Sequence, residues 1–168
     1  MKLGASEPMG NLEVMVGEAL RQKGLTVSCA ESCTGGLLTS RLTDVPGSSD
    51  YVLGSVVSYS CEVKERLVHV RHETLRHMGA VSEETAREKA EGIRETIGAD
   101  IGVGITGLAG PGSDEPGKPV GLVYISVSGR NGTIVEENHF HGNRAEIKHQ
   151  STEKALEMLQ EYVGRISG

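Results

Sequence analysis

Segments with helical apolar spacing alternate with short apolar runs along this chain, and the alternation gives way to one late hairpin. That order predicts an α/β fold in which helices cover both faces of a mixed sheet. The stretch "NLEVMVGEALRQKG" places apolar residues at helical spacing and stops on Gly24. "LTVSCA" is a short strand, "LLTSRL" resumes as helix after a glycine pair, and "DVPGSSD" is a plain turn. "YVLGSVVSYS" reads as a buried strand and "CEVKERLVHV" as a helix capped by Ser60. The clearest helix is "SEETAREKAEGIRETIG": Ser82 caps it, acids fill its first turn, and Gly98 ends it. "DIGVGIT" is a strand, and "GLAGPGSDEPGKP" a long loop. "VGLVYISVSGRNGTIVEENHF" is a hairpin turning at Asn131-Gly132, and "RAEIKHQSTEKALEMLQEYV" is the last helix. With no internal repeat and no linker, residues 1–168 read as one domain.

Composition narrows the class. With no Trp and one Phe, the core must be built from Leu, Val, Ile, Ala and Met. A formal net charge of −6, with no basic stripe, argues against a nucleic-acid partner. No apolar run is long enough to span a bilayer, and "MKLGASEPMGNL" has no signal-like apolar region, so no membrane partner is expected. Three cysteines without framework spacing point to a reduced, cytoplasmic protein.

Two motifs mislead. "GVGITG" matches the glycine string of dinucleotide-binding proteins, but it lies inside a predicted strand and runs on into "LAGPG", which cannot start a helix. Tyr59 and Lys64 are one residue too far apart for the Tyr/Lys pair of short-chain reductases. A hydride-transfer cofactor is therefore not expected. Cys29, Cys33 and Cys61 lack the paired spacing of a structural zinc site, and His69, His72 and His77 lie on a charged, solvated stretch. No metal and no cofactor are expected.

What remains gathers at strand ends and helix starts, where ligands bind in open α/β sheets. In "CAESCTGGLLTSRL", Ser32 stands ahead of a helix whose free N–H groups and positive dipole end suit a nucleophile that creates an oxyanion. Lys64 can act as its base if burial or a neighbouring cation keeps the amine neutral. Tyr59 adds a hydroxyl, Gly35 and Gly36 allow close backbone approach, and Arg144 offers a fork for phosphate. The bland readings stay open at this point. Ser32 would serve as a helix cap, and Lys64, beside Glu65 and Arg66, as one more exposed charge.

Seven motifs then occur in order and at familiar intervals: "AESCTGG", "VPGSS", "VVSYSCEVKERL", "GAVSEETA", "ITGLAGPG", "KPVGLVY" and "HGNR". Together they resemble the C-terminal domain of the competence/damage-inducible protein CinA, the family that includes the nicotinamide mononucleotide deamidase PncC. The resemblance runs from about residue 10 to residue 162. It implies a three-layer α/β/α fold with a mixed sheet of five strands. It also implies hydrolysis of the carboxamide of nicotinamide mononucleotide to nicotinic acid mononucleotide and ammonia, in pyridine nucleotide salvage. By the same resemblance Ser32 is the nucleophile, Lys64 its base and Tyr59 the assisting hydroxyl. Gly47, Ser49 and Arg144 match phosphate-holding positions, Thr34, Gly35 and Gly36 belong to the substrate-binding turn, and Thr106 and Gly107 border the nucleoside. Cys33 is assigned to packing beneath the turn, and a homo-oligomer is the expected assembly. Longer members carry a separate N-terminal domain, for which 168 residues leave no room. Cys61, Asn143 and Lys148 stand where Asn, Asp and Arg are usual. The alternatives are a nucleotide-binding regulatory module without turnover and an amidase for a different nucleotide amide.

Overall fold

Residues 11–167 are described by the structure, a computed structural model, so the reading of the first ten residues as free of a signal falls outside it. Helix α1 spans Leu12–Lys23 and strand β1 spans Val27–Glu31. Helix α2 (Leu37–Thr43), a single 3₁₀ turn (Ser48–Asp50) and β2 (Val52–Val57) follow. Helices α3 (Cys61–Val68), α4 (His72–Met78) and α5 (Glu83–Ile97) lead to β3 (Ile101–Gly107). Strands β4 (Leu122–Gly129) and β5 (Gly132–His139) precede helix α6 (Arg144–Gly164).

The five strands form one mixed sheet in the order β2-β1-β3-β4-β5. Strands β2, β1 and β3 are parallel, with Val27 opposite both Val52 and Ile101. Helical crossovers join these three, whereas a loop and a hairpin join the antiparallel β3, β4 and β5. Helices α1, α2 and α6 cover one face, where Val16, Leu20, Leu38, Leu42, Leu156 and Leu159 pack on Val27, Cys29, Val103 and Ile125. Helices α3 and α5 cover the other, where Val68 and Ile93 close over Ala30. The architecture is a three-layer α/β/α fold. Among the described residues no helix is long and apolar enough to cross a membrane.

The glycines of "GVGITG" serve packing. A Cβ on Gly102 would lie 2.2 Å from the Ala90 carbonyl, and one on Gly104 would lie 2.8 Å from the Ala86 carbonyl. Two missing side chains on β3 thus let the backbone of α5 settle directly on the sheet, which brings residues of α5 within reach of β3 carbonyls.

Two expectations change. Strand β2 is an edge strand rather than a buried one: it pairs only with β1, and Leu53 and Val57 remain about half exposed. The hairpin turns on Arg130-Asn131, because Gly129 pairs with Gly132, so Gly132, at φ 96°, opens β5. The charged histidine stretch holds the short helix α4, where His72 meets Glu65 and His77 meets Glu73.

Candidate active site

The site begins with Glu31, the fully buried last residue of β1. One carboxylate oxygen accepts the Gly36 and Leu38 N–H groups, and the other accepts that of Thr39. The Thr34 and Thr39 hydroxyls add two more bonds, each at 2.6 Å. Glu31 therefore does the capping that Gly36, the N-cap residue, cannot do, and its charge faces the positive end of α2. Gly35 and Gly36 take φ values of 62° and 101°, which glycine adopts without strain. This overturns the reading of free N–H groups at the start of α2 facing the nucleophile, because the carboxylate has taken them. It also removes the alternative of Ser32 as the cap.

Ser32 is left to face a cavity. Its hydroxyl donates to the Ile105 carbonyl of β3 at 3.0 Å. Lys64 lies on α3, which Ser60 caps by accepting the Val63 N–H at 3.2 Å. Only 3% of Lys64 is exposed, and its amine donates to the carbonyls of Ser58 and Tyr59 at 2.9 Å each. No salt bridge among the described residues involves Lys64. Burial lowers its pKa below the ordinary lysine value. The alternative of Lys64 as one more exposed charge does not hold.

The exposed Tyr59 accepts a hydrogen bond from Arg144 at 3.2 Å, and Arg144 also donates to the Gly110 carbonyl. Arg144 opens α6, whose capping box is made by Asn143 and Glu146. Asn143 thus caps the helix, while Gly110 and Tyr59 orient the arginine. Thr106 donates to the Ala80 carbonyl at 2.6 Å. Glu115 accepts the N–H groups of Ala80 and Val81, and Lys118 donates to the carbonyls of Met78 and Val81. These two residues pin the glycine-rich loop over the site.

A cavity of about 270 Å³ results, lined by Ser32, Cys33, Tyr59, Lys64, Thr106, Gly107 and Arg144 among others. Thr34, Gly35, Gly36, Gly47 and Ser49 are not among its lining residues. Thr34 is buried on Glu31, while Gly35 and Gly36 shape the turn. Gly47 receives a hydrogen bond from Arg21 at 3.0 Å, and Ser49 is exposed on the 3₁₀ turn. Burial pushes the Cys33 thiol up to about 11, so beside Ser32 it stays protonated at neutral pH.

One buried group was missed from sequence. Lys89, on α5, is fully buried and donates to the Ile105 carbonyl at 2.6 Å, the same oxygen that holds Ser32. Burial, and next the nearby Lys64, hold its amine well below the usual lysine range. A signal existed: Lys89 stands four residues from both Thr85 and Ile93, on the buried stripe of α5.

The CinA C-terminal domain family matches residues 9–163. A protein of Moorella thermoacetica in the competence-damage inducible class is 50% identical over 148 residues, covering 88% of this chain and 36% of the relative. A CinA-like protein of Acidobacterium capsulatum is 46% identical over 149 residues, covering 89% of this chain and 36% of the relative. The chain thus spans little more than a third of the length of the curated relatives it matches. Among solved structures, the competence/damage inducible protein CihA of Agrobacterium tumefaciens superposes with a TM-score of 0.89 at 38% identity, covering 94% of this chain and 96% of that one. Competence damage-inducible protein A of Klebsiella pneumoniae superposes with a TM-score of 0.91 at 33% identity, covering 95% and 99%. Matched along nearly its whole length in sequence and in fold, the chain belongs to the CinA C-terminal domain family.

Proposed function

We propose that the cavity is the active site of a serine amidase that hydrolyses the carboxamide of nicotinamide mononucleotide. The observation that carries this reading is a buried lysine amine without a carboxylate partner, facing the same cavity as the Ser32 hydroxyl. Ser32 attacks the amide carbon as its proton passes to a lysine amine, the role that the family resemblance gives to Lys64. The oxyanion finds its donors in the backbone of the Ser32–Thr34 turn, since Glu31 occupies the N–H groups that follow it. The pyridinium charge of the substrate makes its carboxamide a better electrophile and favours a neutral amine nearby. Arg144, beside Tyr59 at the cavity rim, receives the phosphate. The acyl-enzyme then yields to water, giving a pyridine nucleotide acid for salvage.

The test is ammonia release from nicotinamide mononucleotide by the parent, Ser32→Ala and Lys64→Met. Release by the parent alone supports the reading. A folded parent that binds the nucleotide without releasing ammonia favours the regulatory module.

A further inference from the structure

A second amine lies beneath the cavity, and it carries the inference furthest. Among the described residues Lys89 has one hydrogen-bond acceptor, the Ile105 oxygen, on which the Ser32 hydroxyl also rests. An ammonium has three donors, so a charged Lys89 would leave donors unmet in a fully buried place. Lys64 differs, since its amine has two carbonyl acceptors and lines the cavity.

Among the described residues Lys89 has no counter-ion. From the end of β1, Glu31 reaches it only at a distance, with both oxygens engaged on α2. From the same turn, Cys33 is a neutral thiol at neutral pH. From α3 comes Lys64, a like charge. On α5 itself, Glu88 holds Arg71 and Thr74, and Glu91 holds Thr133 of β5. Strands β3 and β4 contribute the Ile105 carbonyl and the Ser126 hydroxyl, which donates to Ala86. Across the cavity, Glu115 is tied to Ala80, Val81 and Lys118. Two ammonium groups cannot share such a place, and the one with fewer acceptors gives up its proton.

We propose that Lys89 is the neutral amine that accepts the Ser32 proton at neutral pH, and that Lys64 keeps its proton and delivers it to the leaving nitrogen. This rests on the amidase reading above and divides its base and acid between two lysines. In acylation the Ser32 proton moves to the Lys89 lone pair, Oγ bonds to the amide carbon, and the carbonyl pair moves to oxygen. That pair then reforms the carbonyl and the C–N bond breaks. The nitrogen takes the Lys64 proton and leaves as ammonia. In deacylation the water proton passes to the now neutral Lys64, and Oγ departs with the proton held by Lys89. Both amines are then back in their starting states, and amide plus water has become acid plus ammonia.

The test compares kcat/KM against pH for the parent and Lys89→Met. Methionine fills a similar volume, and Ile105 keeps its bond from Ser32, so the variant is expected to fold. It should lose about 10²-fold at neutral pH with KM unchanged, and recover as rising pH deprotonates Lys64. Superposable profiles for parent and variant would overturn the proposal. A lysine-labelled NMR titration without substrate reads the same amine even if the parent releases no ammonia. The resonance lost in Lys89→Met, or in Lys89→Gln should the first misfold, is expected to be that of a neutral amine at neutral pH, where an ordinary lysine is charged. An ammonium there at neutral pH would refute the inference, whereas a silent parent with a neutral Lys89 refutes only the amidase reading.

Discussion

The Ser32 hydroxyl and the Lys89 amine donate to one oxygen, the Ile105 carbonyl, at 3.0 and 2.6 Å. The meeting depends on β3 lacking side chains at Gly102 and Gly104, where the backbone of α5 comes down on the sheet. A helix standing off at the usual distance would leave the amine short of that carbonyl. The glycines that suggested a nucleotide motif therefore shape the site from below.

Ser32→Ala should abolish ammonia release, by at least about 10³-fold, while thermal melting stays near that of the parent, because Glu31 rather than Ser32 caps α2. Cys33→Ala should keep most of the activity, since its thiol stays protonated until pH approaches about 11. Loss of activity in Cys33→Ala with the fold intact would point to the thiol instead.

Glu31→Gln should destabilise the protein by about 3 kcal/mol. The amide nitrogen that replaces one carboxylate oxygen confronts N–H donors of α2 that it cannot accept. Denaturant unfolding reads this directly, and a cost under about 0.5 kcal/mol would show that the turn finds other partners.

Lys89→Met should raise stability at neutral pH. The folded-state pKa of Lys89 is depressed, so below the unfolded lysine value of about 10.4 the unfolded chain binds the extra proton. Parent stability then falls as pH falls through that window, and the variant lacks this loss. Its advantage should grow as pH falls towards neutrality and shrink as pH approaches about 10.4. Melting curves across pH would show a constant offset if the amine were charged in the folded state.

Gly102→Ala should cost about 1–3 kcal/mol or more, since the new methyl meets the Ala90 carbonyl at 2.2 Å and backbone must move. By lifting α5 it should also perturb the Lys89 resonance. A stable variant with an unchanged resonance would contradict the close-packing argument.

Arg144→Lys should raise KM for the nucleotide about tenfold with little change in kcat. A lysine cannot reach Gly110 and Tyr59 together while presenting a fork to phosphate. A change in kcat alone would place Arg144 in the chemistry instead.

The order of elements was legible in the amino acids because its signals are local. Gly24 and Gly98 end their helices in the left-handed conformation, and Ser60 and Ser82 cap theirs with the bonds that their positions suggest. Ser32, Tyr59, Lys64 and Arg144 were singled out as chemistry at element ends and Thr106 and Gly107 by the resemblance, and the fold gathers these six around one cavity. Gly47 and Ser49 came from the resemblance alone, on a stretch that reads locally as a plain turn, and that turn lies beside Arg21. Nothing local separates the two groups, since that depends on which strand ends become neighbours in the sheet.

The sequence by itself determined the succession of helices and strands, the stops between them and the short list of polar groups at their ends. Only the tertiary structure decided what those groups do. Glu31 looked like one residue of a turn until its carboxylate closed the start of α2. Lys89 looked like one more charge in "SEETAREKAEG" until α5 lay on β3 and shut water out. Capping glycines and serines act within a few residues of chain, so they are read in place. Burial, and the ionisation that follows from it, is a property of what packs on top.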